Sequence, residues 1–268
     1  MKNQLCRMLP PRLGSVVGDN LWELRLRLGQ ATQLTGPWGS RWLGDTVTRE
    51  ELNFIINTAS RYSPWTAQTM RHGYITAPGG HRIGLGGEVV VEHGQVTGIR
   101  NVDSLCIRVA RDLPDVGKPF IGLRGSILIL GSPGAGKTTL LRDLCRQLSK
   151  EETVAVVDER GELFPDGFRR GQALDVLSLC PKPEGIDMAL RTLSPSTIGV
   201  DEITGEADAQ ALLRAGWCGV RLVATAHASG LADLKKRPIY RTLTENRLFD
   251  HILICNRDKS RPTERVDL

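Results

Sequence analysis

One glycine-rich stretch constrains the fold of this chain more than any other. It fits G-x-x-x-x-G-K-[ST], the pattern of a phosphate-binding P-loop, and comprises Gly131, Ser132, Pro133, Gly134, Ala135, Gly136, Lys137, Thr138 and Thr139. The residues before it, 126–130, are mostly apolar and predict a buried parallel strand. After it, leucines recur at helical spacing over 140–148. Strand, glycine loop and helix in this order are the context that the motif requires.

The chemistry of a P-loop follows from its residue types. Glycines allow backbone N–H groups to turn onto phosphate oxygens where a Cβ would obstruct them. The N-terminus of the following helix adds partial positive charge. We expect Lys137 to reach the β- and γ-phosphates and Thr138 to ligate Mg²⁺. The stretch therefore predicts ATP and Mg²⁺ as ligands.

Two further apolar strands end in acidic residues. The run Asp158-Glu159-Arg160-Gly161-Glu162 follows the strand 153–157, and Asp201-Glu202 follows 197–200 in the manner of a Walker B motif. Asp201 is expected to hold Mg²⁺ from its second shell of ligands. Asp158 and Glu159 are candidates for orienting or deprotonating the attacking water, or for holding metal-bound waters, and Glu202 for polarising water. Which of Glu159 and Glu202 is the base stays open.

Other polar residues are expected at the same rim. Thr225 and His227 end the apolar strand 220–225, and either could sense the γ-phosphate. Arginines often complete nucleotide sites across subunit boundaries. The candidates for that role are Arg108, Arg169, Arg170 and Arg191, with Arg25 or Arg27 as further possibilities.

Strands and helices alternate through the second half of the chain. Strands are expected at 126–130, 153–157, 174–178, 197–201, 220–225 and 251–255, and helices at 138–149, 184–193, 206–216 and 230–245. This alternation predicts a mostly parallel sheet with helices on its faces. Ligands bind such a sheet beyond the carboxyl ends of its strands, where the polar motifs lie. Residues 116–268 are therefore predicted to form an α/β P-loop domain.

The first 115 residues have a different pattern and predict a smaller α+β domain. Glu23 to Leu28 alternate charged and apolar residues, as a half-buried strand does. Thr48 and Glu51 form a capping box ahead of one helix, and Ser63-Pro64 opens another. Strands are expected at 74–77, 81–91, 95–99 and 105–109, and residues 112–119 resemble a linker.

The bulk composition is that of a globular protein. The net charge of +5 permits nucleotide, nucleic-acid or anionic-membrane partners and selects none of them. The six cysteines lack C-x-x-C spacing, which favours reduced thiols in a cytoplasmic protein. No apolar run approaches the roughly 20 residues that span a bilayer. Membrane contact is therefore expected to be indirect, through a partner.

The order of these motifs resembles the ATPases of type II and type IV secretion systems. The resemblance makes Asp158 and Glu159 an aspartate box, Glu202 the Walker B glutamate and His227 the residue of a histidine box. It implies a RecA-like ATPase domain.

A longer resemblance, to the stage III sporulation AA family of endospore-forming bacteria, covers nearly the whole chain. It is carried by the stretches 23–27, 73–76, 80–84, 157–162, 175–177 and 180–182. That resemblance implies a ring, expected to be a homohexamer. The ring would power a channel between mother cell and forespore from the mother-cell cytoplasm, with membrane-bound channel proteins as partners.

Two other functions compete with this motor. One is a nucleic-acid-binding module that uses ATP as a switch, although only 5% of the residues are aromatic and no aromatic-basic signature supports it. The other is a nucleotide-dependent scaffold with negligible turnover.

Overall fold

A computed structural model describes residues 2–18, 20–60, 73–258 and 263–267. The chain forms two compact units. The first comprises Met1–Arg111 and Pro165–Phe168, and the second comprises Asp112–Phe164 and Arg169–Leu268. Residues 112–115, which the sequence placed in the first domain, thus belong to the second unit.

The first unit is built on a six-stranded antiparallel sheet with the order β3-β2-β1-β6-β5-β4. Its strands are β1 (Glu23–Arg27), β2 (Ala31–Gly36), β3 (Gly39–Thr46), β4 (Tyr74–Ala77), β5 (His81–Glu92) and β6 (Gln95–Arg108). Its described helices are α1 (Lys2–Met8), α2 (Pro11–Gly14) and α3 (Arg49–Ala59).

The alternation of charged and apolar residues along β1 decides which face of this sheet is buried. Leu24 and Leu26 of β1 are fully buried, and they share a core with Leu52 and Ile55 of α3. The charged residues of β1 lie on the other face. The capping box at Thr48 is confirmed, with the Thr48 hydroxyl accepting from the N–H of Glu51.

Three expectations for this unit need comment. The strands expected at 95–99 and 105–109 are one continuous strand, β6. Glycines at 39 and 44 favour turns; Gly39 directly follows the turn at residues 37–38, whereas Gly44 lies inside β3, an edge strand without the apolar alternation of a half-buried strand. The helix expected from Ser63 lies outside the described residues.

The β5–β6 hairpin extends past its neighbouring strands. β4 pairs with β5 only over 81–84, and β1 pairs with β6 only over 104–108. In the described part of the chain, residues 88–100 pair only within the hairpin. Val89 and Val91 are both more than half exposed there.

The second unit contains a seven-stranded sheet with the order β13-β12-β7-β11-β10-β8-β9, parallel except for β13. Its strands are β7 (Ile127–Leu130), β8 (Val154–Asp158), β9 (Leu174–Ser178), β10 (Thr197–Val200), β11 (Arg221–Ala226), β12 (His251–Ile254) and β13 (Glu264–Asp267). Its helices are α4 (Lys137–Leu148), α5 (Lys182–Thr192), α6 (Glu206–Trp217), α7 (Leu231–Lys236) and α8 (Pro238–Glu245).

Helices cover both faces of this sheet. Leu128 and Leu130 of β7 face a core that includes α5 and α6, whereas Ile127 and Ile129 face the core beneath α4. Continuous burial of this kind is typical of parallel strands. The predicted α/β fold with a mostly parallel sheet is confirmed.

The second unit also departs from the sequence in three places. The helix expected over 230–245 is two helices, because Pro238 cannot continue a helix and Arg237 before it is extended. The edge strand β13 was not predicted. The expected linker packs against α4, where Gly117 donates its N–H to buried Asp143 and Asp112 pairs with Arg146.

Two simpler expectations concern the whole chain. All six cysteines are free. None of the described helices combines the length and the apolar character needed to cross a membrane.

Candidate active site

The predicted site residues follow four neighbouring parallel strands at one edge of the sheet. The P-loop follows β7, the two acidic loops follow β8 and β10, and His227 follows β11. Direct parallel pairing of β7 with β11, β11 with β10 and β10 with β8 brings these ends together. Topology thereby brings together residues such as Lys137 and His227, which lie 90 positions apart in sequence.

The P-loop has the form of an anion cradle. Gly134 and Gly136 adopt positive φ angles of 76° and 99°, and a Cβ at Gly134 would point into open space. Gly136 occupies the N-cap position of α4 and, as a glycine, offers no side chain to cap the first N–H groups of this helix. Exposed loop backbone and free helix N–H groups fit a phosphate chain.

The metal-side residues are joined directly. The Thr138 hydroxyl donates to Oδ2 of Asp201 at 2.9 Å, and the Thr225 hydroxyl donates to Oδ1 of the same carboxylate at 2.6 Å. A hydroxyl beside a carboxylate is the donor set that a P-loop offers to Mg²⁺. The residues present therefore fit the ion.

Lys137 links the P-loop to the Walker B acid through His227. Its Nζ lies 3.2 Å from the carbonyl of Ser132 and 3.0 Å from Nδ1 of His227. An ammonium can only donate, so Nδ1 accepts and the ring proton is assigned to Nε2. That Nε2 lies 3.0 Å from Oε1 of Glu202.

Burial and two nearby acidic groups act on the charge of Lys137 in opposite directions. Burial lowers the pKa of Lys137, and the charges of Asp201 and Glu202 act in the opposite direction. The side chain is only 6% exposed. The Lys137 side chain is therefore buried and lies in the field of two acidic groups.

Glu202 occupies an unusual conformation. Its φ of 57° lies in the left-handed region that favours glycine. The Thr225 hydroxyl accepts its N–H at 2.7 Å, and Nη1 of Arg160 lies 2.9 Å from its Oε2. Contacts from the neighbouring strand β11 and from the loop after β8 therefore hold this residue in place.

Asp158 is engaged differently from the other acids. Its buried carboxylate accepts the N–H groups of Glu162, Leu163 and Phe164. Burial raises the pKa of Asp158, although these hydrogen bonds act to lower it. Because its oxygens fold the following loop, the geometry favours a structural role over the water-activating role that the sequence suggested.

Glu159 is tied to a buried lysine. Nζ of Lys182 at the start of α5 bonds to Oε2 of Glu159, and it lies 3.5 Å from Oδ2 of Asp208. The Lys182 side chain is only 4% exposed, whereas Glu159 is 41% exposed. Lys182 therefore connects the loop after β8 to the helix α6.

The candidate arginines have other contacts, each within its own unit, or are exposed. Arg108 of the first unit lies 3.9 Å from Glu23, and Arg169 of the second unit bonds through its backbone N–H to Asp112. Arg170 and Arg191 are exposed.

Three contributions escaped the sequence-based prediction. Arg160 was part of the acidic run but was given no role, Lys182 was not singled out, and the bond from Thr225 to Asp201 was not expected. The position of Arg160 between Glu159 and Glu162 is the only sequence signal that pointed to it.

Comparison with known proteins places the chain in a family. A family model described as "Sporulation stage III, protein AA" matches residues 3–266. Stage III sporulation protein AA of Bacillus subtilis strain 168 is 36% identical over 282 residues, which cover 96% of this chain and 92% of that protein.

Solved structures resemble the fold. The pilus retraction motor PilT with bound ADP aligns with a TM-score of 0.61 over 87% of this chain and 74% of its own. The Legionella pneumophila ATPase DotB aligns with a TM-score of 0.57 over 87% of this chain and 72% of its own. Each is only 16% identical to this chain, and the likeness therefore concerns the fold alone.

Proposed function

The chain belongs to the sporulation stage III protein AA family, and on that premise we propose that it is an ATP-hydrolysing motor. The observation that carries this proposal is the Thr138–Asp201 hydrogen bond, with Glu202 next in sequence. It joins the phosphate-binding loop to a Walker B acid at the edge where ligands bind parallel sheets. The fold shared with ATPases such as DotB and PilT supports the same reading.

The proposed division of labour follows the contacts. The P-loop backbone and Lys137 would bind the triphosphate, and Thr138 and Asp201 would hold Mg²⁺, which neutralises phosphate charge. Glu202 would accept the proton of the attacking water. Lys137 would exchange its bond to His227 for one to a phosphate oxygen, so that His227 responds to nucleotide.

We further propose that the motor works as a ring, with a homohexamer as the expected form. An exposed arginine of one copy, from Arg108, Arg169, Arg170 or Arg191, would add positive charge to the nucleotide of the next. In this proposal the ring lies in the mother-cell cytoplasm and drives a channel through membrane-bound sporulation proteins.

ATP turnover by the purified chain tests the motor. We expect hydrolysis that Lys137→Ala abolishes and Glu202→Gln reduces strongly. Turnover no higher than that of Lys137→Ala, even at high protein concentration, would instead favour a nucleotide-dependent scaffold.

The ring is tested separately by light scattering after size exclusion, with and without a non-hydrolysable ATP analogue. We expect the mass to rise to that of a ring with the analogue present. A monomer under both conditions would contradict the ring and leave the nucleotide site in place.

A further inference from the structure

Arg160 is the one basic side chain that contacts Glu202 from the loop after β8. Its Nη1 lies 2.9 Å from Oε2 of Glu202, while Nε2 of His227 lies 3.0 Å from the other oxygen, Oε1. The carboxylate is therefore held from two sides by two different loops. About a quarter of the Glu202 side chain is exposed, so water can still reach it.

The loop that carries Arg160 is anchored on both sides of it. Before Arg160, Glu159 bonds to the buried Lys182. After it, the N–H groups of residues 162–164 are fixed on the Asp158 carboxylate. A guanidinium delivered from a loop with this many anchors has a defined position, unlike that of a free surface arginine.

The backbone conformation of Glu202 shows that this residue depends on contacts with its surroundings. A non-glycine residue at a φ of 57° keeps that conformation only when its surroundings impose it. The N–H bond to Thr225 fixes the backbone but leaves the side-chain torsions free. Arg160 and His227 are the contacts that set where the carboxylate lies.

On these grounds we infer that Arg160 is a positioning residue that acts through Glu202 in the reaction proposed above. It contributes little to the stability of the fold, because an ion pair whose arginine is half exposed is worth little in water. Its loss therefore leaves a folded protein that still binds nucleotide but turns it over slowly. This inference rests on the proposed ATPase function.

Kinetics and binding of four variants test the role. For Arg160→Gln we expect kcat to fall by about 10- to 100-fold, as small misplacements of reacting groups do. The Kd for a fluorescent ATP analogue, measured without turnover, should stay within about twofold, since the P-loop contacts are intact. Arg160→Lys should recover part of kcat, and Arg160→Gln should cost little further when added to Glu202→Gln.

Arg214→Gln is the matched control, since Arg214 forms a similarly exposed ion pair with Asp187 away from the site. It should leave kcat unchanged. Equal kcat values for Arg160→Gln and the unmodified protein, or losses that multiply in the double variant, would overturn the inference. Unimpaired turnover by Glu202→Gln would instead refute the proposed base.

A spectroscopic measurement on the nucleotide-free protein separates these outcomes further. The proton assigned to Nε2 of His227 faces the positioned carboxylate and should exchange slowly enough to be seen by NMR. The signal, identified by its loss in His227→Gln, should disappear in Arg160→Gln and persist in Arg214→Gln. A signal retained in Arg160→Gln, or absent from the unmodified protein, would contradict the positioning of Glu202 by Arg160.

Discussion

The acidic loops after β8 and β10 have similar sequences but make different contacts. Asp158 ends β8 and Asp201 directly follows β10, and these two short buried strands pair directly with each other. Asp158 accepts hydrogen bonds from three N–H groups of its own loop. Asp201 instead accepts hydrogen bonds from two hydroxyls, one in the P-loop and one in β11. The first loop uses its aspartate to fold itself, and the second uses its aspartate to join the site. The two carboxylates are chemically identical, and their contacts differ because different hydrogen-bond donors lie close to each of them.

The largest effect is expected when the glutamate of each loop, Glu159 or Glu202, is replaced by glutamine. Glu202→Gln should reduce kcat by about 10²- to 10⁴-fold, the range for loss of a general base. Glu159→Gln should cost less than about tenfold, because its carboxylate is already paired with the buried Lys182. Steady-state ATP turnover measures both, and the opposite ranking would make Glu159 the base.

The next test compares the two aspartates by stability. Asp158→Ala removes the acceptor of three N–H groups and should lower the free energy of unfolding by about 2–4 kcal/mol. Asp201→Ala leaves the half-buried Thr138 hydroxyl able to reach water and removes the acceptor of one buried hydroxyl, that of Thr225, so it should cost less, about 1–2 kcal/mol. Urea unfolding measures both values. Equal costs would show that Asp158 has no special structural role.

A smaller effect is expected from the lysine that anchors the first loop. Lys182→Met keeps the apolar stem but removes the charge between Glu159 and Asp208. We expect a loss of about 1–2 kcal/mol, less than for a fully buried pair because Glu159 is partly solvated. Lys150→Met, at an exposed lysine, is the control in the same unfolding experiment.

The smallest effect concerns pH. Burial raises the folded-state pKa of Asp158 above its ordinary value of 3.8, so the folded state binds the proton more tightly than the unfolded state. The stability that this proton contributes is present below pH 3.8 and is lost as the pH rises through the folded-state pKa. Asp158→Asn should lack this decline. Unfolding free energies of both proteins measured across this range would detect it, and parallel pH profiles would contradict it.

The fold was largely predictable because it follows from local pattern. Continuous apolar runs at 127–130 and 197–200 identify parallel strands, and alternation at 23–27 identifies a half-buried one. Elements without an apolar pattern, such as the exposed edge strands β3 and β13, left no comparable signal. Pro238 is the sequence signal for the break between α7 and α8, since a proline starts a helix but does not continue one.

The candidate site was predictable in its residue types but not in its pairings. The sequence identified Lys137, Glu202 and His227, and their strand-end positions predicted that they would meet. It could not reveal that His227 lies between the other two, since that depends on side-chain torsions. Arg160 escaped for the same reason, because its partner lies 42 positions away in a different loop.

Residues 88–100, where the β5–β6 hairpin extends past its neighbouring strands, should open locally more easily than the rest of the sheet. The hairpin ladder over residues 88–100 is bordered by no third strand among the described residues, and Val89, Val91 and Val96 bury little surface. Such a ribbon can separate without disturbing the sheet from which it extends. Its amide hydrogens should therefore exchange with deuterium well before those of Ile83 and Ile107. The free energy of opening should thus be much lower at the end of the β5–β6 pair that contains residues 88–100 than at the end that contains Ile83 and Ile107.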